Sequence, residues 1–461
     1  MLTILQQTKK VKKVVLVDLS YPYGKSKVYM GGSLVAVAAQ LMAAGIQVDI
    51  VDLNIDKLED EHVKALFSKA QVIGLSVIGS PHFPQAVQMC QYLAENYHHV
   101  KVVVGGQSVR HLDDSEFRRI FGKRAVQITN HNDCTALFGP LNDTFSVPYQ
   151  PVWEQMGNDR LRLYLSTEFA LVLSQGCIYD CGFCGADKNT PEKHRGLELF
   201  EQDIRFLQRK AQEYDIKVLQ CYATPLDFFQ NPETVAEYLK VIAKVFEASK
   251  VGFKMRALCC MNTFLMAAEK LPDFAGLVRR SGLWCIGFGV DGADKEMWKL
   301  QHKLQNHASD IPKCLDRCEQ LGLRTEVLMV MGYPTDNFEK LWKTLRSSLF
   351  YARHWPKVVL RPYLAKTLIP GNLGWEIYPA IIEKLIAQPA KFYNLDFCSL
   401  ASPLTHPRVF QRWLANFAYL FVIGVLTPFG RCCTSPLLPQ GQPGLYGWLA
   451  KIVNRFMPFD R

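Results

Sequence analysis

Apolar and polar positions along the chain fall into two recurring patterns, short solid apolar runs and longer stretches with helical spacing. Val14-Val15-Leu16-Val17-Asp18, Val48 to Leu53, Val72-Ile73-Gly74-Leu75-Ser76-Val77, Val102-Val103-Val104-Gly105-Gly106 and Ala125-Val126-Gln127-Ile128 are runs of the first kind. Such runs suit strands of a parallel sheet buried on both faces. Between them, Gly31-Gly32-Ser33 opens a small-residue helix from Leu34 to Ala44 that Gly45 stops, a charged helix runs through Leu66, and another begins near Pro84. Strands alternating with helices predict a doubly wound, Rossmann-like α/β domain over residues 1–145. Ligands of such sheets bind beyond the carboxyl ends of the strands. The loops after Asp18, Ser76 and Gly106 are therefore the candidate edge, where glycine lets a ligand approach the backbone.

Residues 141 to 160 are rich in Pro, Asn, Asp and Gly, and a linker is expected over 146–165. A second series of apolar runs follows at Phe169 to Leu173, Val218 to Tyr222, Phe253 to Cys259, Cys285 to Val290, Glu326 to Met331 and Lys357 to Leu360, with helical stretches such as Leu199 to Tyr214 between them. Six strand–helix units predict a partial (β/α)6 barrel over 166–370, with its active face at the carboxyl ends of the strands. Residues 371–461 read as a small, mostly helical region. It includes a helix from Val409 to Ile423, a loop at Tyr393 to Cys398, and an amphipathic segment from Gly444 to Phe459. The last places Leu445, Trp448, Leu449, Ile452, Val453 and Phe456 at helical spacing, and docking onto the barrel is the expectation. Lys451 and Arg455 make peripheral contact with a membrane surface the alternative. The run Phe417 to Leu426 is too short to span a bilayer.

Composition adds bounds. The chain has 461 residues, 49% hydrophobic and 21% charged, as folded proteins do. Its net charge of +10 is scattered, with one short run at Lys9-Lys10 and Lys12-Lys13, so no nucleic-acid partner is expected. The 14 cysteines form no regular framework, and the N-terminus lacks a secretory pattern. Both features favour a reducing, cytoplasmic setting.

The densest chemistry is Cys177-Ile178-Tyr179-Asp180-Cys181-Gly182-Phe183-Cys184, directly after the first strand of the second series. Three thiols are one short of a structural zinc site. They fit three corners of a [4Fe–4S] cube and leave one iron without a protein ligand. The C-x3-C-x2-C spacing, with aromatic Phe183 before the last cysteine, resembles the radical S-adenosylmethionine (SAM) superfamily. That resemblance implies cluster ligation by Cys177, Cys181 and Cys184, SAM chelation at the open iron, and reductive SAM cleavage. Standing before this motif, the N-terminal domain resembles the cobalamin-binding domain of the B12-dependent class, with Ser76 and Gly105-Gly106-Gln107-Ser108 where that class faces the nucleotide tail. Two departures stand out. No Asp-x-His-x-x-Gly motif supplies a histidine to cobalt, and His82 reads more simply as a loop residue. Thr129-Asn130-His131-Asn132-Asp133-Cys134 stands where the class often has Gly-Glu-Gly-Glu.

The same resemblance assigns further residues. Asp227, past the second barrel strand, is expected at a polar edge of SAM, with helix capping the alternative. Arg256, within the third strand, is expected to point inward at the SAM carboxylate or substrate, because a charge there needs a partner. Gly287-Phe288-Gly289-Val290-Asp291 resembles a glycine-rich, acid-terminated segment that packs on adenosine, and His302-Lys303 matches a common lysine. Gly332-Tyr333-Pro334 resembles a turn that closes the site, Pro370-Gly371 resembles the segment after the sixth strand in cobalamin-type members, and Tyr363, ending that strand, joins the expected catalytic set. Cys221, Cys259, Cys260 and Cys285 are expected in the core. Cys314 and Cys318 share a helix face, short of further ligands. Cys432 and Cys433, beside Arg431, are expected to contact substrate, with Arg431 lowering a thiol pKa; inert burial is the alternative. The implied function is a cobalamin-dependent radical SAM methyltransferase acting on an unactivated carbon of a small, hydrophobic or aromatic molecule, supplied with electrons by a flavodoxin or ferredoxin. The alternatives are a non-methylating relative (a rearrangement, or 3-amino-3-carboxypropyl transfer to a thiophilic acceptor) and a non-enzymatic B12 or metal sensor.

Overall fold

A computed structural model describes residues 11–20, 31–293, 295–333, 336–365, 370–377, 380–395 and 399–432. The five N-terminal runs form parallel strands β1 (Lys13–Asp18), β2 (Gln47–Asp52), β3 (Val72–Ser76), β4 (Lys101–Gly105) and β5 (Val126–Gln127), in the order β2-β1-β3-β4-β5. Asp18 lies beside Asp52 and Ser76, and Ser76 beside Gly105, so the carboxyl ends finish flush along one edge. Helices α1 (Gly32–Ala43), α2 (Glu61–Lys69), α3 (His82–Asn96), α4 (Asp114–Phe121) and α5 (His131–Phe138) connect and cover the strands. The doubly wound expectation holds.

The span expected to be a linker is instead folded. It forms α6 (Gln150–Gln155) and α7 (Asn158–Leu165), which bury Val152, Trp153, Leu161 and Leu165. Tyr164 donates from its hydroxyl to Asp52 Oδ2 at 2.6 Å, tying α7 to the end of β2. The Pro, Asn and Gly of this stretch mark helix ends: Pro151 sits in the first turn of α6, and Gly157, at φ +80°, precedes α7.

The second series forms β6 (Glu168–Leu171), β9 (Val218–Ala223), β10 (Gly252–Cys259), β11 (Leu283–Gly289), β12 (Arg324–Met331) and β13 (Val358–Leu364), all parallel in the order β13-β12-β11-β10-β9-β6. A small antiparallel pair, β7 (Ser174–Gln175) with β8 (Lys193–His194), frames the loop between them. Helices α8 (Leu197–Glu213), α9 (Pro232–Phe246), α10 (Met261–Lys270), α11 (Phe274–Arg280), α12 (Lys295–Leu300), α13 (Asp310–Leu321) and α14 (Phe338–His354) pack outside. Alternation along the strands separates two faces: Met255, Ala257 and Cys259 of β10 are buried beneath the helices, while Arg256 and Leu258 point to the concave side.

The C-terminal region divides. α15 (Leu373–Ile377) and α16 (Ile381–Ala387) lead the chain back to the N-terminal domain, where Ile381, Leu385, Phe392 and Leu395 join its core and Trp375 stacks on Phe83. α17 (Val409–Leu426) packs on α14 and β13. The amphipathic segment 444–459 lies outside the described residues.

Candidate functional site

The loop from Cys177 to Thr190 crosses the carboxyl end of the barrel, and backbone bonds to distant segments fix its shape. Gly182 N–H donates to the Gln301 carbonyl, and Leu373 N–H to the Gly182 carbonyl, both at 2.7 Å. A side chain at Gly182 would run into Leu373 Cδ1 at 2.3 Å, so a larger residue here would have to displace the Leu373 side chain. Thr190 N–H closes the loop onto the Cys177 carbonyl at 3.0 Å, and Lys188 pairs with Asp180 at 3.1 Å. All three thiols are half-buried in this one loop. Burial pushes the Cys177 thiol up to about 12 and raises that of Cys184, a cost that a bound cation offsets. As they stand, no three His, Cys, Asp or Glu side chains among the described residues converge as a metal cage.

The sulfurs nevertheless meet donors suited to a thiolate cluster. Ala186 N–H points at Cys184 Sγ at 3.4 Å, and Gln305 Nε2 lies 3.4 Å from Cys181 Sγ. Hydrogen bonds to ligand sulfur tune iron–sulfur centres. Gln305 Nε2 also lies 3.9 Å from the sulfur of Cys260, which brings a fourth thiol to the loop. Cys260 was expected in the core; it stands instead at the head of α10, half-exposed, facing Cys181. Three thiols in one loop, with amides aimed at their sulfurs, fit a [4Fe–4S] cluster.

Beneath the loop, Lys303 is buried, ion-paired with Asp291 and 5.4 Å from the Phe183 ring centroid. Burial works against its charge, but Asp291 and the neighbouring thiols hold its pKa above the ordinary value. The glycines of this segment serve internal packing. The Cβ position of Gly289 is taken by Lys303 Nζ at 2.7 Å and that of Gly287 by Leu258 at 2.3 Å. Asp227 is fully buried and caps α10, accepting from Cys260 N–H at 2.9 Å and Thr263 Oγ1 at 2.8 Å. It does not cap a helix at Phe228, where none forms. Its second oxygen, Oδ2, accepts from no N–H or O–H group of the protein, although the carboxyl also meets the Cys260 thiol. Desolvation raises its pKa. An orphaned carboxylate oxygen beside the thiol loop fits the polar end of SAM.

The N-terminal sheet edge faces this loop across a cleft of about 1100 Å³. Gly106, Arg110, Thr129 and His131 form one wall, and Gly176, Asp187 and Thr190 of the thiol loop form the other. Arg110 pairs with Asp187 across it, while Arg110 Nε is buried without a partner. Residues Thr129 to Cys134 contribute a capped helix start, with Asn130 accepting from the Asn132 and Asp133 amides of α5 and Asp133 accepting in return from Asn130 N–H. The glycine pair acts differently from expectation. Gly106, at φ +108°, has its Cβ direction against the Val77 carbonyl at 2.5 Å, and Gly105 abuts Ile128 at 3.4 Å. Their role is close approach of loop to loop. Ser108 is buried and spends its hydroxyl on the Ile78 carbonyl at 2.6 Å. Ser76 ends β3 without joining the cleft wall. His82 is buried at the start of α3, accepting from Gly79 N–H at 3.2 Å. An open cleft along the carboxyl edge of the sheet, with an orphaned donor on its wall, fits the polar rim of a bulky group such as cobalamin.

Arg256 points to the concave side, but Glu168 holds it through two bonds of 2.9 and 2.8 Å, with Glu326 at 3.5 Å. Glu326 is shared with Arg361 at 2.9 Å, and Tyr222 lies beneath the Arg256 guanidinium. Tyr363 joins this group through Arg361 at 3.4 Å. Glu168 opens β6, and Arg256 lies four residues, about 13 Å at strand rise, below Cys260. The network therefore fills the lower barrel, away from the thiol loop. Glu168, Glu326 and Arg361 were legible by the signal that flagged Arg256, a charge in an otherwise apolar strand.

Cys432 lies apart from these groups, bridging to Leu360 at the outer edge of β13. Arg431 is spent on the end of α14, donating to the carbonyls of Ala352, Pro356 and, at 2.7 Å, Trp355. Its guanidinium therefore closes a helix. Cys433 lies outside the described residues.

Comparisons bear on both edges. Residues 32–119 match the B12 binding domain family, and residues 171–347 match the radical SAM superfamily. Among solved structures, TsrM from Kitasatospora setae, a radical S-adenosylmethionine methyltransferase with tryptophan substrate and a SAM analogue bound, is 16% identical. It aligns over 76% of this chain and 72% of its own, with a TM-score of 0.57. OxsB, a cobalamin-dependent S-adenosylmethionine radical enzyme with aqua-cobalamin and S-adenosylmethionine bound, is 14% identical over 84% of this chain and 56% of its own, with a TM-score of 0.57. At these identities the likeness is one of fold. No curated protein matches the chain.

Proposed function

We propose that this chain, which joins a B12 binding domain to a radical SAM domain as cobalamin-dependent radical SAM enzymes do, is a methyltransferase acting on a small molecule. The observation that carries the reading is the cleft: the carboxyl edge of the N-terminal sheet and the thiol loop are its two walls, pinned by Arg110 and Asp187. Held by the thiol loop, the cluster would supply the electron that cleaves SAM, and cobalamin in the cleft would supply a carrier for a methyl group.

The chain's own residues position these groups. Cys177, Cys181 and Cys184 would hold the cluster, with Gln305 and Ala186 N–H donating to its ligand sulfurs. Asp227 Oδ2 would accept a hydrogen bond from an amino or hydroxyl group of SAM, since no N–H or O–H of the protein donates to it. The Asp291–Lys303 pair supports the loop from below through Phe183. Arg110 sets the cleft width. Arg256, Tyr363 and their partners form the barrel floor beneath the site. An external flavodoxin- or ferredoxin-type donor would reduce the cluster.

Anaerobic reconstitution with product analysis tests the proposal. S-adenosylhomocysteine together with 5'-deoxyadenosine is the expected outcome in the presence of substrate. 5'-Deoxyadenosine alone would assign a rearrangement, and methylthioadenosine an aminocarboxypropyl transfer. Absence of cobalt from protein reconstituted with cobalamin would overturn the methyltransferase reading.

A further inference from the structure

α17 is, among the described residues, the one helix long and apolar enough to cross a membrane by length and composition. One of its faces is committed to the barrel: Leu414, Ala415, Ala418, Tyr419, Val422 and Ile423 are buried against it. The opposite face is apolar and open to solvent. Phe410 is 70% exposed, Trp413 58% and Phe417 52%, followed at helical spacing by Phe421 and Val425. The rings form a continuous ladder, with Trp413 to Phe417 at 5.5 Å and Phe417 to Phe421 at 5.9 Å. Over 18 residues it runs about 27 Å. The neighbouring helix α14 adds an exposed pair, Phe338 and Trp342, 6.5 Å apart. A recess of about 550 Å³ opens between the two helices, with Phe338 and Leu341 on one side and Phe410 and Leu414 on the other. Contiguous apolar surface of this extent marks an interaction site.

Charge selects the partner. α17 contains no acidic residue, and Arg408 and Arg412 stand at its head. On α14, Lys343 pairs with the helix's single acid, Glu339, at 3.0 Å, and Lys340 with Glu296 at 3.6 Å, which leaves Arg346 and Arg353 as its unbalanced cations. Tryptophan and phenylalanine on one face with lysine and arginine beside them is the composition of a surface that lies in the interface of an anionic bilayer. We propose that the α14–α17 face docks this protein on an anionic lipid bilayer, monotopically, because the buried face of α17 keeps the helix on the barrel. The proposal is independent of the reaction assigned above.

Co-sedimentation of the full chain with phosphatidylglycerol–phosphatidylcholine vesicles and with phosphatidylcholine alone tests it, alongside quenching of tryptophan fluorescence by brominated lipids. Binding to the anionic vesicles, weakened by salt and accompanied by quenching, is expected. The triple variant Phe410→Ser/Trp413→Ser/Phe417→Ser should lose at least tenfold in vesicle affinity. Lys343→Glu/Arg346→Glu, at exposed positions that leave the core intact, should lose several-fold on anionic vesicles. Undiminished binding by both variants would overturn the proposal. So would absence of vesicle binding, whether with a concentration-dependent dimer that the triple variant abolishes, which assigns the face to a second copy, or with amide-exchange protection of residues 434–461 that the triple variant removes, which assigns it to the chain's own C-terminal segment.

Discussion

The two walls of the cleft are built on different principles. The thiol loop carries its chemistry in residue types, three cysteines with amide donors aimed at sulfur. The edge of the N-terminal sheet carries its chemistry in shape, glycines that let loops nest and a cavity they border. A metal centre needs particular donor atoms, whereas a large macrocycle needs volume and scattered hydrogen bonds. Substitution should therefore act sharply and locally on one wall, and gradually or through folding on the other.

The largest effect is expected at the thiol loop. Cys181→Ala should abolish the [4Fe–4S] optical and EPR signal while leaving cobalamin uptake intact, and loss of both would erase the distinction between the walls. Next is the clamp beneath it: Lys303→Met leaves Asp291 buried and unpaired, at a cost of about 3–5 kcal/mol, read as a lowered denaturation midpoint. On the opposite wall, Gly106→Ala forces a side chain against the Val77 carbonyl at φ +108°. Strain of at least about 1–2 kcal/mol should appear, with cobalamin affinity falling and cluster content unchanged. Arg110→Ala should weaken cobalamin binding by about tenfold or less, an effect equal to about 1.4 kcal/mol, measured by spectral titration.

The smallest effect concerns pH. Burial, the neighbouring Asp52 and, in the opposite sense, a backbone bond from Gly31 set the pKa of Asp18, which stands raised to about 7. Raised above its unfolded value, the carboxyl binds a proton on folding between about pH 4 and pH 7. Its contribution to stability is therefore fully present below about pH 4 and is lost progressively as pH rises to about 7. Asp18→Asn should stabilise the protein by about 1 kcal/mol or more at pH 8 relative to wild type, and by less at pH 5, in paired thermal scans.

The same contrast explains what the sequence revealed. Solid runs such as Val102-Val103-Val104 can be little else than buried parallel strands, so both sheets were legible, as was the thiol spacing. The folding of 146–165 was not, because Pro151 and Gly157 end helices with the same residues that loops use. The return of residues 381–395 to the first domain depends on packing across the whole chain and leaves no local trace. Gln305 and Cys260 likewise gain meaning only when α10 and the segment after α12 bring them to Cys181. Arg256 was correctly marked as a charge needing a partner, but that partner, Glu168, comes from another strand.

A cobalamin held on the sheet edge would face a cluster held by Cys177, Cys181 and Cys184. Pulsed EPR on anaerobically reconstituted protein, with cobalt as cob(II)alamin and the cluster reduced, tests this arrangement most directly. A resolved magnetic interaction between the two centres is expected, and it should disappear in Cys181→Ala. Two centres loaded in the same molecule with no measurable interaction would contradict it.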